Sequence, residues 1–200
     1  VGNRVTQDVT TAKHASFSLD GTLGAWDYRS ALTYSTNKWV ESHLGGWLKQ
    51  NEQDAAVAAG TFDPFLEPGK QSTAGQAALV GMQNRGVYKS ETSNLTSLEV
   101  RASRELLKLN GQSVQLGLGA DVRRETVDYN PSEIARGLTN NIAGDSAQEV
   151  PYNVSRKVWG VFAEVVLPVD KRLELSGAVR HDDYDDFGST DNIKASFRFQ

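Results

Sequence analysis

The sequence predicts an all-β chain, an antiparallel meander of about seven strands with one apolar and one polar face. Three observations carry this expectation. From Val154 to Gln200, apolar and polar residues alternate with a period of two, which places successive side chains on opposite faces of a sheet. Short turn signals separate the alternating runs. The connections also sort by length: tight ones near Asp20, Asn110 and Pro168 take every second place, residues 37–91 and 127–153 form long ones between them, and the short connection at 185–190 is the exception. Every second connection of such a meander lies at the same end, so one end is trimmed and the other bears large loops. Transmembrane barrels have this asymmetry. A soluble sheet half-covered by protein fits the alternation equally well but gives no reason for the sorting.

Taken in order, residues 1–11 are polar and unpatterned. From Ala12, Ala15, Phe17 and Leu19 alternate with His14, Ser16 and Ser18, and Asp20-Gly21 is a tight-turn signal. The second strand sets Trp26, Tyr28, Leu32 and Tyr34 against Asp27, Arg29 and Thr33. At about 3.3 Å per residue and a tilt of about 40°, Trp26 and Tyr34 stand about 20 Å apart along a barrel axis. They suit two interfacial girdles or an aromatic core strand equally.

In residues 37–91 the alternation disappears. Asn51 is placed to cap a short helix that Gly60 ends, and Ser72 opens a second helical piece reaching to about Asn84. Connections this long are functional loops or lids more often than simple links. Leu98, Val100 and Ala102 then oppose Glu99, Arg101 and Ser103, and Asn110-Gly111 turns the chain. Val114, Leu116, Leu118, Ala120 and Val122 follow against Gln115, Asp121, Arg123 and Glu125. After the unpatterned stretch 127–153, three strands close the sequence. Their apolar faces hold Trp159, Val161, Ala163, Val165 and Leu167; then Leu173, Leu175 and Val179; then Ile193, Ala195, Phe197 and Phe199.

Composition narrows the function. With 38% hydrophobic and 23% charged residues the chain can bury a core, so global disorder is excluded. The net charge is −4 and no basic stripe is present, which disfavours nucleic acid as a partner. The absence of cysteine excludes disulfides, thiolate metal sites and cysteine nucleophiles. No apolar run approaches the length of a membrane helix, which leaves a membrane barrel open. No start methionine is present and Gln200 falls inside an alternating run, so the sequence reads as an excerpt from a longer chain.

Few residues carry chemistry. Arg123, Glu125, Glu164, Arg180, Lys194 and Arg198 fall on polar faces, where they would line a wet lumen. Ordinary cross-strand pairing explains them more simply. Trp39, Trp47 and Phe65, in or beside the first long connection, can stack on a solute or form the small core of their own loop. The acidic run 182–186 offers carboxylates to Ca²⁺ but lacks the spacing of a known calcium loop, so a solvated hairpin tip is the simpler reading. His14, His43 and His181 have no partners at zinc-ligand spacing, and neither a nucleophile elbow nor a phosphate-binding loop is present. No metal, cofactor or enzymatic activity is expected. Two other classes fit less well: a soluble secreted β-sheet module that binds carbohydrate, and a lipid-modifying barrel enzyme, for which no catalytic base at a rim is evident.

Several stretches resemble the TonB-dependent outer-membrane receptors. Residues 159–168, WGVFAEVVLP, are similar to that family's strand and turn ending in Leu-Pro. Residues 173–180, LELSGAVR, with YDDFG at 184–188, resemble one of its hairpins. LGADVRRE at 118–125 resembles the strand before its variable middle loop, and GTFDPF at 60–65 resembles a loop motif in which Asn is common where Asp63 stands. The resemblance implies a segment from the middle of a large transmembrane β-barrel, with 37–91 and 127–153 as long extracellular loops carrying short helices. It implies a bacterial outer-membrane receptor that takes up a scarce solute, of the siderophore-iron, cobalamin or carbohydrate class, with TonB-derived energy. The partners implied are the TonB complex, reached through a plug domain upstream, the outer-membrane lipid and the solute. A final strand would lie downstream, so the segment alone would not be transport-competent. Glu164, Pro168, Arg180 and Gly188 belong to the shared motifs, which implies support of the barrel rather than choice of ligand.

Overall fold

The computed structural model describes residues 2–145 and 148–200. Its seven strands are β1 (Val5–Leu23), β2 (Trp26–Gly45), β3 (Gly86–Leu109), β4 (Gln112–Pro131), β5 (Tyr152–Pro168), β6 (Leu173–Tyr184) and β7 (Gly188–Phe199). They form one antiparallel sheet in chain order, with β1 and β7 as its edges. Two short helices, α1 (Gln50–Ala58) and α2 (Thr73–Gly81), lie in the connection between β2 and β3. The chain divides into two compact units. A strand unit comprises Lys13–Thr36, Asn94–Thr126 and Val154–Gln200; a loop unit comprises Val1–Ala12, Asn37–Ser93 and Val127–Asn153.

In the strand unit the expected register holds. Ala163 pairs with Val179 and Val179 with Ile193; Leu167 pairs with Leu175 and Leu175 with Phe197. The neighbouring rows are polar: Phe162 faces Arg180 and Asn192, and Glu164 and Lys194 flank Ala178. On this second face Ser176 bonds Ser196 at 2.6 Å, and Arg198 donates to Glu174 at 3.1 Å. The apolar row is left open, with Ile193 85% and Phe197 75% exposed. Side chains of this size, standing in register on one face, form an apolar surface that water-soluble proteins rarely show.

Turn chemistry explains where the strands reverse, and it corrects one expectation. Asn110 and Gly111 both adopt positive φ (51° and 79°), the geometry of a two-residue hairpin turn that untwisted strands cannot share. The first hairpin turns at Gly24 and Ala25 instead of Asp20-Gly21, with Gly24 at φ 63°. Gly21 sits inside β1 for another reason: a Cβ there would stand 3.0 Å from the Tyr28 hydroxyl. Glycine thus gives the Tyr28 ring its seat. On β4, Gly119 does the same for the Phe162 ring, which occupies the space its side chain would need.

The strands also run further than the sequence period suggests. β1 begins at Val5, β2 continues to Gly45, β3 starts at Gly86, and β4 reaches Pro131. The long connections therefore shorten to residues 46–85 and 132–151. At residues 39–43 of β2 both faces are half-buried or buried, so no exposed face is left there to set the alternation by which strands are read.

The loop unit has its own small core. Leu48, Phe62, Leu79 and Met82 form one buried cluster; Tyr88, Ala135 and Ile142, with Trp47 packed against them, form a second. Residues 47–49 run between two other segments, bridging Leu48 to Gln83 and Lys49 to Ile142. The second helical piece starts where expected but ends at Gly81 rather than near Asn84; Ser72 is its N-cap, accepting from the Gly75 amide at 3.1 Å. α1 departs from expectation. Lys49 is its N-cap residue and supplies no side-chain cap, and Asn51 lies inside the helix. The amide of Asn51 donates to Asn140 Oδ1 at 3.0 Å, so a side chain from the second long loop does the capping. Gly60, at φ 66°, follows the last turn of α1 as predicted.

Two outcomes follow. Gly119→Val drives a branched side chain into the Phe162 ring and lowers stability by about 1–3 kcal/mol; adding Phe162→Ala restores much of it, as read by thermal unfolding in detergent. Asn140→Ala removes the cap of α1 and costs about 0.5–2 kcal/mol locally. Amide hydrogen exchange in residues 50–54 accelerates, while exchange in β6 and β7 is unchanged.

Candidate functional site

Two constellations of charged and aromatic side chains stand out, one in each unit. In the strand unit, Asp121, Arg123 and Glu125 alternate along one face of β4. Arg180 of β6 donates to Asp121 at 2.7 Å and to Asp182 at 2.6 Å. Arg123 lies 3.6 Å from Asp121 and donates to Glu125 at 3.0 Å, and Arg156 of β5 donates to Glu125 at 2.6 Å. Arg156 also approaches Asp186 at 3.9 Å. Acids and arginines therefore alternate without a break from Asp182 to Asp186. The Tyr184 ring stacks on Phe187 at 4.2 Å and lies below Arg123 and Arg156 at 5.9 and 5.8 Å.

A ladder of this kind is self-compensated. Each carboxylate already holds a guanidinium, and Gly160 leaves room for the Arg180–Asp182 pair, because a Cβ there would meet both side chains. Asp182 and Asp186 of the acidic run face arginines, and Asp185 accepts from the Lys157 amide at 2.9 Å. Among the described residues no three His, Asp or Glu side chains converge to hold a metal ion. Of the polar-face residues singled out in the sequence, Arg123, Glu125 and Arg180 belong to the ladder and Arg198 pairs with Glu174. Glu164 and Lys194 stand apart from it.

The loop unit is different. The chain's formal charge of −4 falls wholly on this unit, which has eleven acids against seven Lys and Arg, while the strand unit has fourteen of each. Trp39, Glu41 and His43 alternate on one side of β2, and Lys89 and Glu91 on one side of β3. The Lys89 ammonium lies 3.1 Å from Glu149 Oε1 and 3.8 Å from Glu41 Oε2, with the Trp39 and Tyr88 rings at 5.9 and 5.8 Å. Tyr129 donates to Glu149 at 2.9 Å and stacks on Tyr152 at 5.1 Å; Tyr152 donates to Glu91 at 3.1 Å. The Trp39 indole donates to Asp8 at 3.0 Å.

His43 is the floor of this cluster. It is 1% exposed and lies between the Trp47 and Tyr88 rings at 4.3 and 4.2 Å. Asn84 Nδ2 donates to its Nδ1 at 2.9 Å, which leaves the proton on Nε2. Nε2 has no hydrogen-bond partner and faces Glu41 Oε1 at 3.8 Å. Burial, with the charges of Arg4 and Lys89, lowers the His43 pKa to about 4. Burial, the Glu149 hydrogen bond and the Glu149 charge raise the Tyr129 pKa. Hydrogen bonds from Tyr129 and Lys89 lower that of Glu149.

The three aromatic residues singled out in the sequence are not brought together. Trp39 is half-buried at the cluster edge. Trp47 packs on His43, with the Arg4 guanidinium 4.6 Å above its ring. Phe65 is 94% exposed at the end of an Asp63-capped turn. Sequence reasoning missed the Lys89, Tyr129, Glu149 and Tyr152 group. Its members lie in the ends of β3, β4 and β5 and the second long loop, where no period marks them. The only signal available was the excess of acid over base in the segments that lack alternation.

A family model described as TonB dependent receptor-like, beta-barrel, matches residues 2–200. No curated protein and no solved structure gives a match.

One pH dependence follows from His43. In the unfolded chain the imidazole takes up a proton near its ordinary pKa of 6.5, whereas the folded loop unit refuses it down to about 4. Stability is full above pH 6.5 and falls by about 2–3 kcal/mol as the pH drops to 4. His43→Phe keeps the stack and flattens this slope, as thermal unfolding measured between pH 4 and 7 will register. An unchanged slope would assign the acid sensitivity to other groups.

Proposed function

Since the chain belongs to the TonB-dependent receptor-like β-barrel family, we propose that it forms part of the wall and outer vestibule of a receptor in the bacterial outer membrane. That receptor takes up a scarce solute, drawn from the siderophore-iron, cobalamin or carbohydrate classes, with energy delivered by the TonB complex through a plug domain. The family is one of outer-membrane receptors and transporters rather than enzymes. The observation that carries the reading to this chain is the open apolar row of the strand unit, in register across β5, β6 and β7.

β6 and β7, of 12 residues each, lie wholly in that unit. Tilted by about 45°, such strands span about 28 Å, close to the thickness of a bilayer's hydrocarbon core. Lipid covers the apolar row; the ladder lines the wet side, where its closed set of ion pairs keeps the wall rigid without holding a solute. No described helix is long and apolar enough to cross a membrane, which is immaterial to a chain that crosses with strands. A soluble carbohydrate-binding module would need a protein layer over Ile193 and Phe197, and among the described residues none lies there.

The loop unit, built around the connections within 37–91 and 127–153, then stands on the extracellular side. Trp39 and Phe65 are the aromatic residues placed to meet a solute; Trp47 serves the packing of the loops. Cell fractionation tests the reading directly. The parent protein is recovered with the outer membrane, and deletion of its gene abolishes growth on at least one chelated iron, cobalamin or sugar source. Recovery as a freely soluble secreted protein would overturn it.

A further inference from the structure

Building on that reading, we infer that the acidic, aromatic cluster of the loop unit recognises a small organic cation, an ammonium or guanidinium group on the incoming solute. Three features of the loop unit carry this. First, charge is unevenly held: the whole formal excess of acid lies in this unit, and Glu41, Glu91 and Glu149 gather beside Trp39, Tyr129 and Tyr152. Carboxylates beside the π-faces of rings favour a cation over an anion or a neutral group.

Second, the chain shows the site occupied by a cation of its own. The Lys89 ammonium sits between Glu149 and Glu41 with two rings within 6 Å, the coordination a ligand amine would receive. One ammonium answers two carboxylates, and the third, Glu91, is met among the described residues by the neutral Tyr152 hydroxyl. The three carboxylates do not converge on one point, so a bare metal ion is a poor occupant; an extended organic cation reaches them in turn.

Third, the floor of the cluster holds an unanswered donor. His43 is almost fully buried, and among the described residues its Nε2 has no acceptor within hydrogen-bond distance although it is aimed at Glu41. A buried donor left unpaired is unfavourable and is rare in native structures. A solute that displaces Lys89 and carries an oxygen acceptor beside its amine, as a basic peptide or an amino sugar does, would answer both the acids and this N–H. Lys89 then acts as a competing internal ligand.

Calorimetric titration of the detergent-solubilised protein tests the inference with four probes: trilysine, spermidine, citrate and glucose. Trilysine and spermidine bind, more weakly as salt rises, and citrate and glucose do not. Lys89→Met tightens the amines about tenfold by removing the competitor. Glu91→Gln, which leaves the Lys89 ion pairs intact, weakens them about tenfold, and Glu149→Gln acts in the same direction. Failure of both amines to bind at 10-millimolar order, equal binding of citrate, or amine binding indifferent to Lys89→Met and Glu91→Gln overturns the inference. Its failure is separate from that of the receptor reading. A protein found in the outer membrane that binds no amine removes only the cation site; a soluble protein that binds amines removes only the receptor.

Discussion

Everything in the strand unit depends on pairing register. Because side chains alternate every residue, the ladder that sets Ala163 beside Val179 and Ile193 also sets Phe162 beside Arg180 and Asn192. A slip of one residue between β5 and β6 would turn arginines toward the apolar side and leave valines on the polar one. The turns that fix the register are short and chemically specific, Asn110-Gly111 with two positive φ values above all. A cross-strand ion pair reinforces it: Arg180 of β6 reaches Asp121 of β4 across β5 at 2.7 Å, while its pair with Asp182 is made within β6. The ladder is therefore an alignment device as well as a wall.

The two units put charge to opposite uses. In the strand unit acids and bases are equal in number, and those of the ladder from Asp182 to Asp186 are paired with one another. In the loop unit acids outnumber bases, and a single ammonium bridges two carboxylates. The ladder resists ligands because each of its groups has already been answered. The loop unit invites them.

Much of the strand unit was legible in the sequence. The seven strands, the faces of β5, β6 and β7, the Asn110-Gly111 turn and the start of the second helix at Ser72 follow from period and turn chemistry alone, because each is a local rule. The failures share a cause. Asp20-Gly21 has the composition of a turn, yet Gly21 is needed for the ring of Tyr28 seven residues on. Asn51 looks like a helix cap, but the capping oxygen comes from Asn140. The outer parts of β1 to β4 lose their alternation because the loops pack against them, and no window of neighbouring residues contains that information. The candidate site was legible only as an acid excess and a few aromatics. Lys89, Tyr129, Glu149 and Tyr152 meet through contacts spanning up to 60 residues, and such contacts leave no short motif.

The cap of α1 reaches across 89 residues of sequence. During synthesis the helix emerges long before the asparagine that finishes it, so the first loop cannot settle until the second has been made. The same dependence limits engineering by parts. A chimaera that transplants only the helix-bearing loop onto a foreign barrel leaves its helix start bare, and one that transplants only the other loop brings an amide with nothing to hold. The two must be moved together.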